Sequence, residues 1–221
     1  MIDFFKKKVN NYPDYWLEYE NSFKKKPIED LNLVRFVVLD TETTGFDYSN
    51  DRILCIGALS LVDKNIALNQ SLEIFLKQEH YNAETAKIHG ILKNGGASCI
   101  SESAAMEKLL GFLNNAIIVA HHAIFDITMI NRALERNGLP RLKNKVLDTS
   151  HLYKKTLLTS NVFKKKEHYS LDELAEKFDI SKKDRHTALG DAYITAIAFL
   201  KIRNRLKGKG QLRLKDLLKM G

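Results

Sequence analysis

The segment that most constrains this chain is Leu33–Leu39, an apolar run of strand character broken by Arg35, which ends at the polar stretch Asp40-Thr-Glu-Thr-Thr-Gly45. Side chains alternate along a strand with a period of two, so Asp40 and Glu42 share one face with Cα atoms roughly 6–7 Å apart. Two carboxylates so placed at the end of a buried strand can grip hard cations between them. Such oxygen ligands suit Mg²⁺ or Mn²⁺ rather than zinc. The plain alternative is an Asp that ends a strand and a Glu in the turn after it.

Further strands are predicted over Arg52–Val62 and Asn65–Leu76, joined near Asp63-Lys64 in hairpin fashion. Met106, Leu109, Leu110 and Leu113 mark a helix capped by Ser101 or Ser103. Ala116–Ala120 reads as a short buried strand, and Ile124–Asn137 as a helix stopped by Gly138 and Pro140. Val146-Leu147 is another short strand, Ser170-Leu-Asp-Glu173 a capping box opening the helix Leu171–Phe178, and Thr187–Arg205 a strongly apolar helix. Strands in hairpin order, followed by strands alternating with helices, give an α/β fold: a mixed sheet flanked by helices.

The core of that fold is expected over residues 33–205, after an N-terminal helical extension over 1–32 and before a basic tail over 206–221. In the extension, Tyr12, Tyr15, Trp16, Tyr19 and Phe23 recur at helical steps, a stripe expected to pack onto the domain, and Pro27 ends the segment. The tail reads as a frayed terminal helix; its Gln211-Leu-Arg-Leu214 faintly resembles a sliding-clamp peptide but lacks the aromatic. No membrane span or secretory signal is legible, and Cys55 and Cys99 fit no zinc or CxxC spacing, so a cytoplasmic protein with reduced thiols is expected. The net charge of +8, with lysine clusters at 6–8, 24–26, 154–155, 164–166 and 182–183, suits a polyanionic partner. Each cluster is also compatible with a solvated face.

Two more carboxylates sit where carboxylates are costly. Asp126 is flanked by Phe125 and Ile127 inside an apolar helix, and Asp191 lies among Ala188, Leu189, Ala192 and Ile194. Each must be paired, capped or metal-bound. His186 falls on the loop before the last long helix, five residues ahead of Asp191. Asp148 competes for a ligand role, but its place before Thr149-Ser150 reads as a helix cap.

The segments Asp40-Thr-Glu-Thr-Thr-Gly45, Val119-Ala-His-His-Ala-Ile-Phe-Asp126 and Arg185-His-Thr-Ala-Leu-Gly-Asp191 together resemble the three motifs of the DEDDh exonucleases. In style they are similar to the epsilon proofreading subunit of bacterial DNA polymerase III and related polymerase exonuclease domains. The similarity also takes in Ile88-His-Gly-Ile91 and His168-Tyr-Ser-Leu-Asp172. The resemblance implies an RNase H-like sheet and two divalent ions, Mg²⁺ or Mn²⁺, held by Asp40, Glu42, Asp126 and Asp191. It implies hydrolysis from the 3′ end to nucleoside 5′-monophosphates, with His186 as the general base. It further implies that Thr41, Thr43 and Thr44 line the terminal-nucleotide pocket and that His89 helps hold the strand end. Where the family more often has Asn, this chain has His122 beside His121, which puts the contact made there in question. His121 is read as a packing or supporting histidine. Nucleic-acid 3′ ends, DNA ahead of RNA, are the implied substrate and a replicative polymerase subunit the implied partner. An RNA-trimming or repair exonuclease and a catalytically dead binding module are the alternatives.

Overall fold

Alternation along the first strand sorts the interior into two layers. The computed structural model describes residues 11–25, 28–79, 82–91, 98–157, 166–208 and 212–220, and its first strand, β1, runs over Arg35–Thr43. Val37 and Leu39 point into one buried cluster with Trp16, Leu109 and Met129; Phe36 and Val38 point into another with Leu174, Ile194 and Phe199. The strand begins two residues later than the apolar run, because Leu33 stays 62% exposed. Arg35 fits the strand by turning its guanidinium onto the carbonyls of Phe112 and Leu113. There it satisfies the last turn of a helix.

β2 (Ile53–Val62) and β3 (Asn65–Phe75) follow as antiparallel neighbours, turning at Asp63 with a left-handed φ of 53°. That conformation suits a two-residue hairpin. β4 (Ile117–Ala120) and β5 (Val146–Asp148) add in parallel on the other side of β1. The sheet order is β3-β2-β1-β4-β5, the mixed arrangement expected.

Helices α1 (Asp14–Ser22), α3 (Glu102–Leu113) and α4 (Ile124–Arg136) contribute to the first layer. Between β3 and α3 lies the short α2 (Ala83–His89). Helices α5 (Thr149–Thr156), α6 (Leu171–Phe178), α7 (Ala188–Lys207) and α8 (Leu214–Met220) contribute to the second layer. The aromatic stripe of α1 is core: Trp16 and Tyr19 are fully buried, and the Tyr19 hydroxyl donates to Asn144 at 2.6 Å while accepting from the Lys143 amide. The tail departs from the frayed helix expected of it. Leu217 is completely buried, since Leu214, Leu217 and Leu218 recur at helical spacing and cover the second layer. Pro27, Gln211 and the lysines at 6–8, 26 and 164–165 lie outside the described residues. Among the described residues no helix is long and apolar enough to cross a membrane.

Candidate active site

The same alternation that builds the core distributes the polar end of β1. Asp40 and Glu42 continue the face of Phe36 and Val38, toward α7, whereas Thr41 continues the face of Val37 and Leu39, toward α4. Asp191, in the first turn of α7, meets the first pair: carboxylate oxygens of Asp40, Glu42 and Asp191 lie within 4.8 Å of one another. Asp126, in the first turn of α4, meets Thr41 instead. Its Oδ1 accepts from the Thr41 amide at 2.9 Å and from the Thr41 hydroxyl at 2.7 Å. The fourth carboxylate therefore arrives from the opposite side of the strand and stands outside the close group of three. It nevertheless exerts the largest charge effect on Asp40.

A glycine makes the approach of α7 possible. Gly57 on β2 is the register partner of Asp40, and a Cβ placed there would lie 2.2 Å from the Ala188 carbonyl carbon and 2.3 Å from the Leu189 nitrogen. No side chain is compatible with that contact, so the helix start rests directly on the sheet beside Asp40. The helix itself is capped by Thr187, whose hydroxyl accepts from Gly190 N at 3.2 Å.

The cluster is short of positive charge. Burial, followed by the neighbouring charges of Asp126, Asp191 and Glu42, holds the Asp40 carboxyl well above its ordinary value. Burial and the Asp191 charge push Glu42 up to about 7, and burial pushes Asp126 up to about 7 against the hydrogen bonds from Thr41. Burial also raises Asp191, with the nearby Arg185 guanidinium opposing it. Among the described residues, Asp191 Oδ1 is buried without a hydrogen-bond partner that meets the usual geometry. Desolvated carboxylates with an orphaned oxygen among them fit hard divalent cations, which take oxygen ligands and neutralise their charge.

His186 is exposed on the loop before α7, with a left-handed φ of 65°. His122 shares that conformation at φ 56°, and its Nε2 lies 3.1 Å from the Tyr169 carbonyl oxygen. Asn and His are both among the side chains that tolerate it, a physical reason why either can stand at this position. His121 has Nδ1 2.9 Å from the Thr149 hydroxyl, and burial together with the His122 charge pushes its pKa down to about 4. Asp148 is a cap: Oδ1 accepts from Ser150 N and His151 N, and Oδ2 from Ala123 N.

The threonines expected at the nucleotide pocket each place their hydroxyl in a bond within the chain. Thr41 holds Asp126, the Thr43 hydroxyl donates to Gly45 O at 2.7 Å, and that of Thr44 to Asp51 Oδ1 at 2.6 Å. His89 ends α2, buried, with Nδ1 accepting from Ile91 N and burial lowering its pKa; among the described residues its Nε2 lacks a partner. The Thr85 hydroxyl ties α2 to the end of β1 through Thr44 O at 3.3 Å.

Two features escaped the sequence reading. Phe46, which is 79% exposed, and Tyr48 set their rings 5.6 and 5.8 Å from Phe125, the neighbour of Asp126. Arg185 pairs with both Asp191 and Asp172. Phe125 and Arg185 stand inside motifs already quoted, but nothing local marked them.

A family model described as Exonuclease matches residues 37–199. Relatives include a PolC-type DNA polymerase III of Thermotoga petrophila, 31% identical over 91% of this chain and 14% of the relative. Another is a DNA polymerase III subunit epsilon-like protein of Rhodobacter capsulatus, 32% identical over 86% of this chain and 26% of that protein. The chain thus spans about a quarter or less of these curated relatives. Among solved structures, zinc-bound E. coli ExoI with single-stranded DNA superposes with TM-score 0.68 at 18% identity, covering 80% of this chain and 42% of the other. Exonuclease X with 5′-overhanging duplex DNA gives 0.62 at 19% identity, covering 85% and 99%. These likenesses bear on the fold and agree with an RNase H-like sheet.

Proposed function

The chain belongs to the exonuclease family, and we propose that it is a metal-dependent 3′→5′ exonuclease acting on single-stranded or frayed DNA ends. The observation that carries this reading is the close group of Asp40, Glu42 and Asp191 oxygens, one of them buried without a partner. Those three residues, with Asp126, are the ones that would hold two Mg²⁺ or Mn²⁺ ions. When bound, such ions supply counter-charge and Lewis acidity at a scissile phosphate. His186, on its exposed loop, takes the proton from the attacking water. The water oxygen bonds to phosphorus, the bond from phosphorus to the 3′-oxygen breaks, and that oxygen leaves as the new 3′-hydroxyl after taking a proton from solvent. The product is a nucleoside 5′-monophosphate.

The exposed rings of Phe46 and Tyr48, set against the half-buried Phe125, support a single-stranded substrate, since aromatic faces stack unpaired bases without choosing among them. The +8 charge supports phosphate binding. Within the lysine clusters, Lys166 pairs with Glu173 and Lys182 with Glu176, so these two are not free for phosphate. A replicative polymerase as partner belongs to the same reading, on the names of the relatives, and a cytoplasmic setting is proposed with it. Rates on single-stranded, mismatched and fully paired 3′ ends, and on RNA, over a salt series test it. Unpaired DNA should be cut fastest, because a matched end must lose a few kcal/mol to fray. Equal rates on paired and unpaired DNA below saturation would count against it, as would faster cleavage of RNA.

A further inference from the structure

The segment His168–Asp172 has no place in the reaction as described, yet its last residue is tied to the site. Asp172 opens α6 and receives a two-pronged contact from Arg185: Nε donates to Oδ1 at 2.9 Å and Nη2 to Oδ2 at 3.1 Å. The third arm, Nη1, donates to Asp191 Oδ2. Arg185 is therefore a bridge whose planar fork is fixed at one side by Asp172 and engages one named oxygen of Asp191 at the other. The guanidinium is well shielded, its side chain 17% exposed and that of Asp191 8%. With Oδ2 engaged, the unpartnered oxygen of Asp191 is Oδ1.

The bridge also fixes the stem of the His186 loop. Arg185 N donates to Lys182 O, the Thr187 hydroxyl donates to Asp184 O, and a Cβ on Gly190 would meet Asp184 O at 2.0 Å. His186 stands between the clamped Arg185 and the capping Thr187, so both of its chain neighbours are held by hydrogen bonds.

We infer that Asp172 and Arg185 are positioning residues that hold Asp191 with Oδ1 turned to the metal-binding group and anchor the loop carrying His186. Asp172 has a second effect. By taking two of the guanidinium's donors it offsets a positive charge that would otherwise compete with a cation for Asp191. Hydrogen-bonded partners of metal-ligating carboxylates commonly change metal affinity or activity by about 10–100-fold when removed. Arg and Lys are not equivalent here, because an ammonium cannot reproduce the fork.

The inference rests on the proposed function only in taking Asp191 as a metal ligand, and its test has a readout apart from turnover. Mg²⁺ or Mn²⁺ binding to the full chain is measured by titration calorimetry for the unmodified protein, Asp172→Asn, Arg185→Lys and Asp172→Glu, with melting temperatures in chelator alongside. Asp172→Asn and Arg185→Lys should each raise the half-saturating metal concentration by about 10-fold or more, and Asp172→Glu should recover most of the loss. A scaffold role alone would lower the melting temperature in chelator and leave the metal midpoint in place. That result, or tighter metal binding in Asp172→Asn, overturns the inference. Metal binding by the unmodified chain without nucleotide release would instead count against the exonuclease reading, while the midpoints still decide the role of Asp172 and Arg185.

Discussion

Replacing Gly57 by Ala probes the contact on which the site's geometry depends. The added Cβ would sit 2.2 Å from the Ala188 carbonyl carbon, roughly 1.2 Å inside the 3.4 Å where ordinary contact begins. The obstruction is helix backbone, which cannot rotate away as a side chain would, so the start of α7 must move by about that distance. Asp191 is in its first turn and moves with it, away from Asp40 and Glu42. A misplacement near 1 Å costs about 10²-fold in rate, and overpacking costs about 1–3 kcal/mol of stability. At about 2–4 °C per kcal/mol for a chain of this size, Gly57→Ala should still fold but melt several degrees lower, with turnover down about 100-fold. Gly111→Ala is the control: it lies within α3, and its Cβ would meet nothing within 4 Å. It should gain about 0.5–1 kcal/mol and leave turnover unchanged. Nuclease rates and thermal melts on both variants decide the matter. Gly57→Ala retaining turnover within about 3-fold would refute the argument that close packing of α7 on β2 sets the site.

Two further outcomes are expected. In the metal-free protein, Glu42 and Asp126 keep their protons to about pH 7 when folded but lose them near 4 when unfolded, so this contribution to stability falls as pH rises. His121, pushed down to about 4, acts in the opposite sense below about pH 6.5, so the clean window is pH 6.5–8. Melts in chelator should show a loss of about 1–2 kcal/mol across that window, flattened by Mg²⁺; a rise in stability would contradict the assigned burial of these carboxylates. His186→Ala should lower turnover about 10²–10⁴-fold, whereas His122→Asn should be nearly neutral because Asn also accepts the left-handed φ of 56°. If steady-state rates put the larger loss on His122→Asn, the base is misassigned.

What the sequence made legible was local and periodic. The strand character of the run before Asp40 and the Ser170–Glu173 capping box each settle a short stretch of backbone, and the structure has them where the pattern puts them; the last long helix starts one residue later than read, with Thr187 as its cap. Parity along β1 already determined that Asp40 and Glu42 would face one way and Thr41 the other, but which helix lay on which side was a matter of topology. Hence the separation of Asp126 from the close trio was not readable. The Asp172–Arg185–Asp191 bridge joins two elements at the start of α6 and before α7, and no residue spacing encodes it. The resemblance points to the three threonines as pocket residues, and the bonds of their hydroxyls to Asp126 and to the turn after β1 were not readable from it. Leu217 was missed because a short basic tail gives little periodicity until the surface it covers is known.

The central claim is that these carboxylates hold the ions that cut a strand from its 3′ end. It is tested most directly by one assay on an oligonucleotide carrying distinct labels at its two ends, with the unmodified chain and Asp40→Asn, in Mg²⁺ and in excess chelator. In Mg²⁺ the 3′ label should be released first as a nucleoside 5′-monophosphate, with release abolished by chelator and by Asp40→Asn while the variant still folds. Release in excess chelator, undiminished release by Asp40→Asn, or loss of the 5′ label first would contradict it.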